Sequence, residues 1–273
     1  MEITLPQVYR IDAPATYKVH LASWNGWDQP LDVFVRDRNE WDGWNSWGNK
    51  IDVFNRDNIL ALIDFYPERD RWLFGGAYQV RSRSGKVGKG AYKLRLIEAC
   101  KPYIGRLKIE FKRPSRAKAV KLERYYESFV VAEILAEPYG GERFPGYDQI
   151  DIGFPALENV FNRQLADWKT ALENAKGVYV ITDHRNGRKY VGSAYGGTGI
   201  WARWSCYAST CHGFNDELTR LIKAKGTKYA RLNFRFSLLE YFPLKTDDDL
   251  ILQRESHWKN ILMSRGRFGY NRN

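Results

Sequence analysis

Cysteine is scarce in this 273-residue chain. Cys100, Cys206 and Cys211 are too few, and odd in number, for a disulfide framework. A reducing, cytoplasmic compartment is therefore the expectation. Long apolar runs are missing too: none approaches the roughly 18 residues of a membrane span. The opening MEITLPQVYRIDAP has no basic segment followed by an apolar one, so neither membrane insertion nor secretion is expected. Cys206, Cys211 and His212 lack a fourth partner for a zinc site. The segment SGKVGKG (84–90) lacks the Gly-x4-Gly-Lys-Ser/Thr form of a nucleotide-binding loop and reads as a basic loop touching phosphates. No repeat or low-complexity tract is present.

What is there is a core-forming composition, 44% hydrophobic and 27% charged, long enough for two domains. The net charge of +11 is unevenly spread. Residues 1–70 carry −5, 71–140 carry +10, 141–176 carry −2 and 177–273 carry +8. Two basic blocks around a slightly acidic bridge suit two contact regions for a polyanion, although charge alone is equally met by a soluble surface. Five of ten tryptophans fall in the first 50 residues: Trp24, Trp27, Trp41, Trp44 and Trp47. Aromatic faces interleaved with Arg hold unstacked bases; a Trp-rich core is the plainer account of any one of them.

The first half reads as mostly strand. LDVFVR (31–36), KIDVF (50–54), RWLFGGAYQVRSR (71–83, with a bulge at Gly75-Gly76), YKLRLIE (92–98), RLKIEF (106–111) and a longer YESFVVAEILAE (126–137) are expected strands. NILALIDFY (58–66) fits a short helix or a strand, and Asp57 and Asn58 at its start favour the helix. Many short strands with Gly and Pro turns suggest a barrel with added helices. Residues 155–176 repeat apolar positions at three- and four-residue steps and are expected to form a linker helix.

The second half is clearer. GVYVITD (177–183), a turn with Asn186-Gly187 and RKYVGSA (188–194) make a hairpin. Helices are expected over 200–208 and about 214–224, a strand over 232–243, and a helix over 249–263 behind a Thr246/Asp249 capping box.

Within this half, Gly177-Val178-Tyr179 and Tyr190-Val191-Gly192 resemble the signature of the GIY-YIG nucleases, with Val twice in place of Ile. Arg203 in IWARW stands where that family carries a helix-borne Arg, and Tyr207 follows one turn later, where members carry His or Tyr. His212 resembles a His of the homing-type members, Glu255 the metal-binding Glu, and Asn271 the C-terminal Asn. The resemblance covers 177–273 and none of the first 176 residues.

It implies phosphodiester hydrolysis of double-stranded DNA. Tyr179 and Tyr190 lie on paired strands, so both phenols can reach one face. A phenol is a poor base at its usual pKa near 10, and a cation such as Lys189 or Arg203 would lower it. Arg203 and Tyr207 share a helix face. Glu255 shares a face with Ile251, Trp258 and Leu262, where a carboxylate must be paired or bind metal; one acidic ligand with waters and phosphate suits Mg²⁺ (or Mn²⁺).

The expected fold is therefore α+β: a mostly-β, barrel-like DNA-recognition domain over 1–154, the linker helix over 155–176, and a small nuclease domain over 177–273 with a short antiparallel sheet flanked by helices. In the first domain Arg81, Arg83, Lys86 and Lys89 are candidates for phosphates, and Trp44 and Trp47 for bases. The expected function is a restriction or phage-defence endonuclease, modification-dependent if the barrel reads a flipped base, with a homodimer as one way to cut both strands. The alternatives are a homing- or repair-type nuclease of the same family and a non-catalytic DNA-binding protein that kept the fold.

Overall fold

Ile59–Ile63 is an apolar run without period, and in the computed structural model every residue of it is buried on both faces of a sheet. Such a run carries no signal that separates a central strand from a buried helix. The segment expected to be helical is therefore strand. The structure describes residues 2–272 and divides into two units, one ending at Tyr139 and one starting at Gly140. Each is described by itself.

The first unit holds α1 (Leu5–Val8), β1 (Tyr17–Ala22), α2 (Pro30–Arg36), α3 (Arg38–Asn45), β2 (Asn58–Asp64), β3 (Arg71–Arg83), β4 (Tyr92–Leu96), β5 (Leu107–Glu110), β6 (Ala119–Lys121) and β7 (Val130–Ile134). The strands form one sheet, β6-β1-β2-β3-β5-β7, with β4 paired to β3. It is a curled, open sheet and not a closed barrel. The β1–β2 pair is parallel and the others antiparallel.

Three expected strands differ. LDVFVR is helix α2: Pro30 opens it at a position where no backbone N–H is needed, and Leu31, Val33, Phe34 and Val35 are all buried. Asp37 then caps α3, accepting from the Asn39 and Glu40 amides. KIDVF forms no strand; Phe54 packs instead on Ile59, Ala91 and Tyr92. The long strand over 126–137 shrinks to β7, because Tyr126 opens a short 3-10 turn and its hydroxyl donates to Tyr9 O (2.6 Å). The bulge at Gly75 is present, and a Cβ there would lie 2.5 Å from the Trp41 ring, whose Nε1 donates to Gly75 O.

The second unit holds β8 (Asp151–Gly153), α4 (Phe154–Asn162), α5 (Ala166–Glu173), β9 (Ala175–Asp183), β10 (Lys189–Ala194), α6 (Gly199–Thr210), α7 (Asp216–Lys225), α8 (Thr227–Asn233), β11 (Phe234–Pro243) and α9 (Asp248–Ile261). Its antiparallel sheet runs β10-β9-β11-β8. Residues 155–176 are no linker helix. They form α4 and α5, broken at Gln164 in the left-handed region, and Leu157, Val160, Phe161, Trp168 and Leu172 belong to this unit's main core. The chain thus divides between 139 and 140, ahead of the expected boundary. Helix α8 was not foreseen and takes the first two residues of the expected strand. Asp247, not Thr246, caps α9.

Strand alternation gives the sheet two dressed faces. Tyr179, Ile181 and Phe236 meet α4, α5 and α6. Val178, Val180 and Val191 meet α9 through Ile251.

Candidate active site

One glycine of the hairpin makes room for its two tyrosines, and the other for the neighbouring strand. Tyr179 on β9 pairs with Gly192 on β10, and a Cβ at Gly192 would lie 2.5 Å from the Tyr179 hydroxyl and 2.8 Å from the Tyr190 ring. Gly177 likewise faces the bulge of β11, where a Cβ would meet Glu240 O at 2.6 Å. The glycine of each triplet is thus a space requirement.

Helix α6 brings Arg203 and Tyr207 onto the same face of the hairpin. Arg203 Nε donates to the Tyr179 hydroxyl (3.0 Å), and its Nη2 donates to the Tyr207 hydroxyl (3.2 Å) and to Asn215 Oδ1 (3.3 Å). Its Nη1 donates to Gly213 O (3.0 Å). The Tyr179 and Tyr207 hydroxyls are 3.0 Å apart. Tyr190 donates to Asn215 Oδ1 (2.6 Å), and Asn215 Nδ2 donates to Tyr207 (2.6 Å). Four expected residues, Tyr179, Tyr190, Arg203 and Tyr207, therefore form one cluster, and Asn215 joins it unforeseen. Asn215 reads as an ordinary N-cap before DELTRLIKAK, which hides it; its side chain makes no cap hydrogen bond and turns to the phenols instead. Gly213, with a positive φ of 54°, was also missed: a Cβ there would lie 2.4 Å from the Tyr207 ring.

The electrostatics correct one expectation. Burial pushes Tyr179 and Tyr207 above the usual phenol range, and Tyr190 as well. Arg203 opposes this in all three without overcoming it, and the Lys189 ammonium donates to Gly187 O (3.2 Å). The neighbouring cation does not produce a phenolate near neutral pH, because desolvation of the charged form outweighs one guanidinium. Among the described residues no carboxylate pairs with Arg203, and its charge is held by neutral oxygens alone.

Glu255 lies one turn beyond Ile251 on α9, as its spacing predicts, and pairs with Lys259 (3.4 Å), both largely buried. Its charge helps raise Tyr190. No group of three His, Cys, Asp or Glu side chains gathers among the described residues, so a metal here would have Glu255 as its protein carboxylate. His212 stands apart: its Nδ1 accepts from the Phe214 amide (3.0 Å) and lies 3.2 Å from Thr219 Oγ1, and burial lowers its pKa. The remaining ring N–H is then a donor, so His212 is no ready base. Asn271 is buried and clamps both backbone groups of Val191 on β10, at 2.7 and 2.8 Å.

In the first unit, the loop 84–90 is pinned beside Trp47. Gly48 and Gly88 exchange two backbone hydrogen bonds of 2.9 Å, and the Gly90 amide donates to Ser46 Oγ (3.2 Å). Exposed Lys86 and Lys89 therefore stand next to exposed Trp47. Arg81 is exposed on β3. Arg83 is committed to Asp52 (3.4 Å) and to the Phe54 and Arg56 carbonyls, and Trp44 packs partly buried on a core cluster. Both were expected to touch DNA, and here each already has partners within the first unit.

Two solved structures are similar to about a third of this chain. The catalytic domain of intron endonuclease I-TevI, in a point-mutant form, is 31% identical over 36% of this chain and 92% of that one, with a TM-score of 0.27. The catalytic domain of homing endonuclease I-TevI is 31% identical over 36% of this chain and 98% of that one, with a TM-score of 0.28. No family model and no curated protein matches.

Proposed function

We propose that this chain, whose second unit carries a GIY-YIG segment, is a DNA endonuclease of the restriction or phage-defence kind, with hydrolysis in the second unit and site choice in the first. The observation that carries it is the half-buried Arg203 guanidinium, held by two neutral phenols, an amide and a backbone carbonyl, with no carboxylate partner among the described residues. A desolvated cation with no internal counter-ion is costly unless it serves an anionic ligand. A phosphodiester fits, because charge develops on its oxygens during displacement and preorganised donors stabilise that charge.

The residues divide the work. Arg203 neutralises the phosphoryl oxygens. Tyr179 and Tyr207 hold the guanidinium at the right angle and remain protonated. Tyr190 is the partly exposed phenol, and would face the water and phosphate when substrate is bound. Glu255 fits Mg²⁺, which accepts one carboxylate when phosphate and water complete its shell; when bound, the ion supplies charge stabilisation and a more acidic water. Lys86, Lys89 and Trp47 form a basic and aromatic surface for duplex contact. A homodimer would cut both strands.

The test is cleavage of a panel of unmodified, methylated and glucosylated phage DNAs with Mg²⁺ by the wild type and Arg203→Ala. Cleavage lost on removing Arg203 supports the proposal. Equal cleavage by both proteins, or none by the wild type on any DNA, overturns it.

A further inference from the structure

The amide of Asn215 has only one chemically allowed orientation. Its Oδ1 faces the Arg203 guanidinium, which can only donate, and its Nδ2 faces the His212 carbonyl (3.1 Å), which can only accept. The Tyr190 and Tyr207 hydroxyls then have fixed directions. Tyr190 donates to Oδ1. Tyr207 accepts from Nδ2 and from Arg203, so its own proton goes to Tyr179. Tyr179 accepts from Tyr207 and from Arg203 Nε. The lone pairs of Tyr179 and Tyr207 are thereby taken, and neither can receive a proton from water. Tyr190 differs: it spends its proton on Asn215, and of the three phenols it is the one that is not fully buried, with its oxygen within reach of both the Arg203 guanidinium and the Tyr207 hydroxyl.

From this we propose that Asn215 is a positioning residue, which sets the directions of the Tyr190 and Tyr207 hydroxyls and presents the Tyr190 oxygen as the phenol that orients the attacking water. The proposal rests on the nuclease reading for its consequence, and on hydrogen-bond chemistry alone for the direction. Asn215 gives up its ordinary service as an N-cap to do this.

The experiment pairs kinetics with a structural readout on the full chain. Asn215→Ala and Tyr190→Phe should each lower kcat by roughly 10²-fold, with KM changed less than about twofold. The double variant should be no slower than the slower single one, because both break one link. Asn215→Asp keeps the acceptor for Tyr190 and Arg203 but cannot donate to Tyr207, so it should be as slow as Asn215→Ala. Multiplying losses in the double variant, or a near-normal Asn215→Asp, would overturn the positioning role. Hydroxyl-proton NMR on tyrosine-labelled protein reads the direction without any cleavage. The Tyr207 proton should show its contacts to the Tyr179 ring in the wild type and lose them in Asn215→Asp. A Tyr207 proton directed at Asn215 in the wild type would overturn the direction, and a wild type that cuts nothing would sink the nuclease reading while leaving this measurement decisive.

Discussion

The Tyr179 hydroxyl occupies the place where a side chain at Gly192 would begin: the two residues face each other across β9 and β10, and a Cβ would stand 2.5 Å from the oxygen. Gly192→Ala must therefore move the phenol and break its bond to Arg203. Loss of cleavage by roughly 10²-fold or more is expected. Circular dichroism should show the sheet retained, which separates the displaced phenol from a misfolded unit.

The raised phenols predict a flat pH profile. With Tyr179, Tyr190 and Tyr207 all held above the usual range, no tyrosine should ionise between pH 7 and 9. A tyrosine base would make the rate climb tenfold per pH unit across that span. Tyr179→Phe should lower the rate through loss of the Arg203 contact while leaving the shape of the profile unchanged. A steep alkaline rise in the wild type that vanishes in Tyr179→Phe would restore the general-base role expected from the sequence.

Glu255→Gln keeps the shape of α9 and removes the charge. Mg²⁺-dependent cleavage should disappear while DNA binding stays nearly intact, since the basic surfaces are untouched. The 3.4 Å ion pair with Lys259 is lost as well, so the melting temperature is to be measured alongside the rate. Cleavage at the wild-type rate would show that Glu255 holds no metal.

His20 on β1 sits between Asn45 (2.8 Å) and the Phe54 ring, and burial lowers its pKa to about 4. The unfolded chain binds the proton near pH 6.5 and the folded one only near 4, so the neutral ring's contribution is present above 6.5 and is lost as pH falls toward 4. The slope is at most about 1.4 kcal/mol per pH unit. Urea unfolding between pH 7 and 4 should show it, and His20→Gln should remove it.

The site was more legible than the fold around it. The ordered set from Tyr179 to Glu255 is carried by types and spacing, and four of its members meet in space. Asn215 was hidden because an Asn before a helix is explained by capping alone. The phenol pKa direction was hidden because burial of Tyr179 depends on α6 and Gly192, which are distant in sequence. In the first unit, β2 is buried on both faces and so lost the alternation that marks a strand, while Pro30 turned a β-branched segment into α2. Tertiary packing overrode local preference in both.

The pinned loop separates two kinds of DNA contact, and that separation is measurable. Lys86 and Lys89 are held beside Trp47 by the paired Gly48 and Gly88 backbones. Replacing both lysines by Glu should weaken binding about equally on every sequence, because phosphates are the same everywhere. The slope of log affinity against log salt should fall in size by about two, close to 0.9 for each lost phosphate contact. Trp47→Ala should leave that slope unchanged and alter which DNA is preferred, since a ring contributes by stacking on bases. Gly88→Pro should uncouple the two, because it removes the amide that bonds to Gly48 O. Its loop keeps both charges but loses its place beside the ring. A binding series over salt and sequence on the full chain distinguishes the three variants. If Trp47→Ala changes neither affinity nor preference while the lysine variant behaves as expected, the surface touches phosphates alone and base recognition lies elsewhere in the chain.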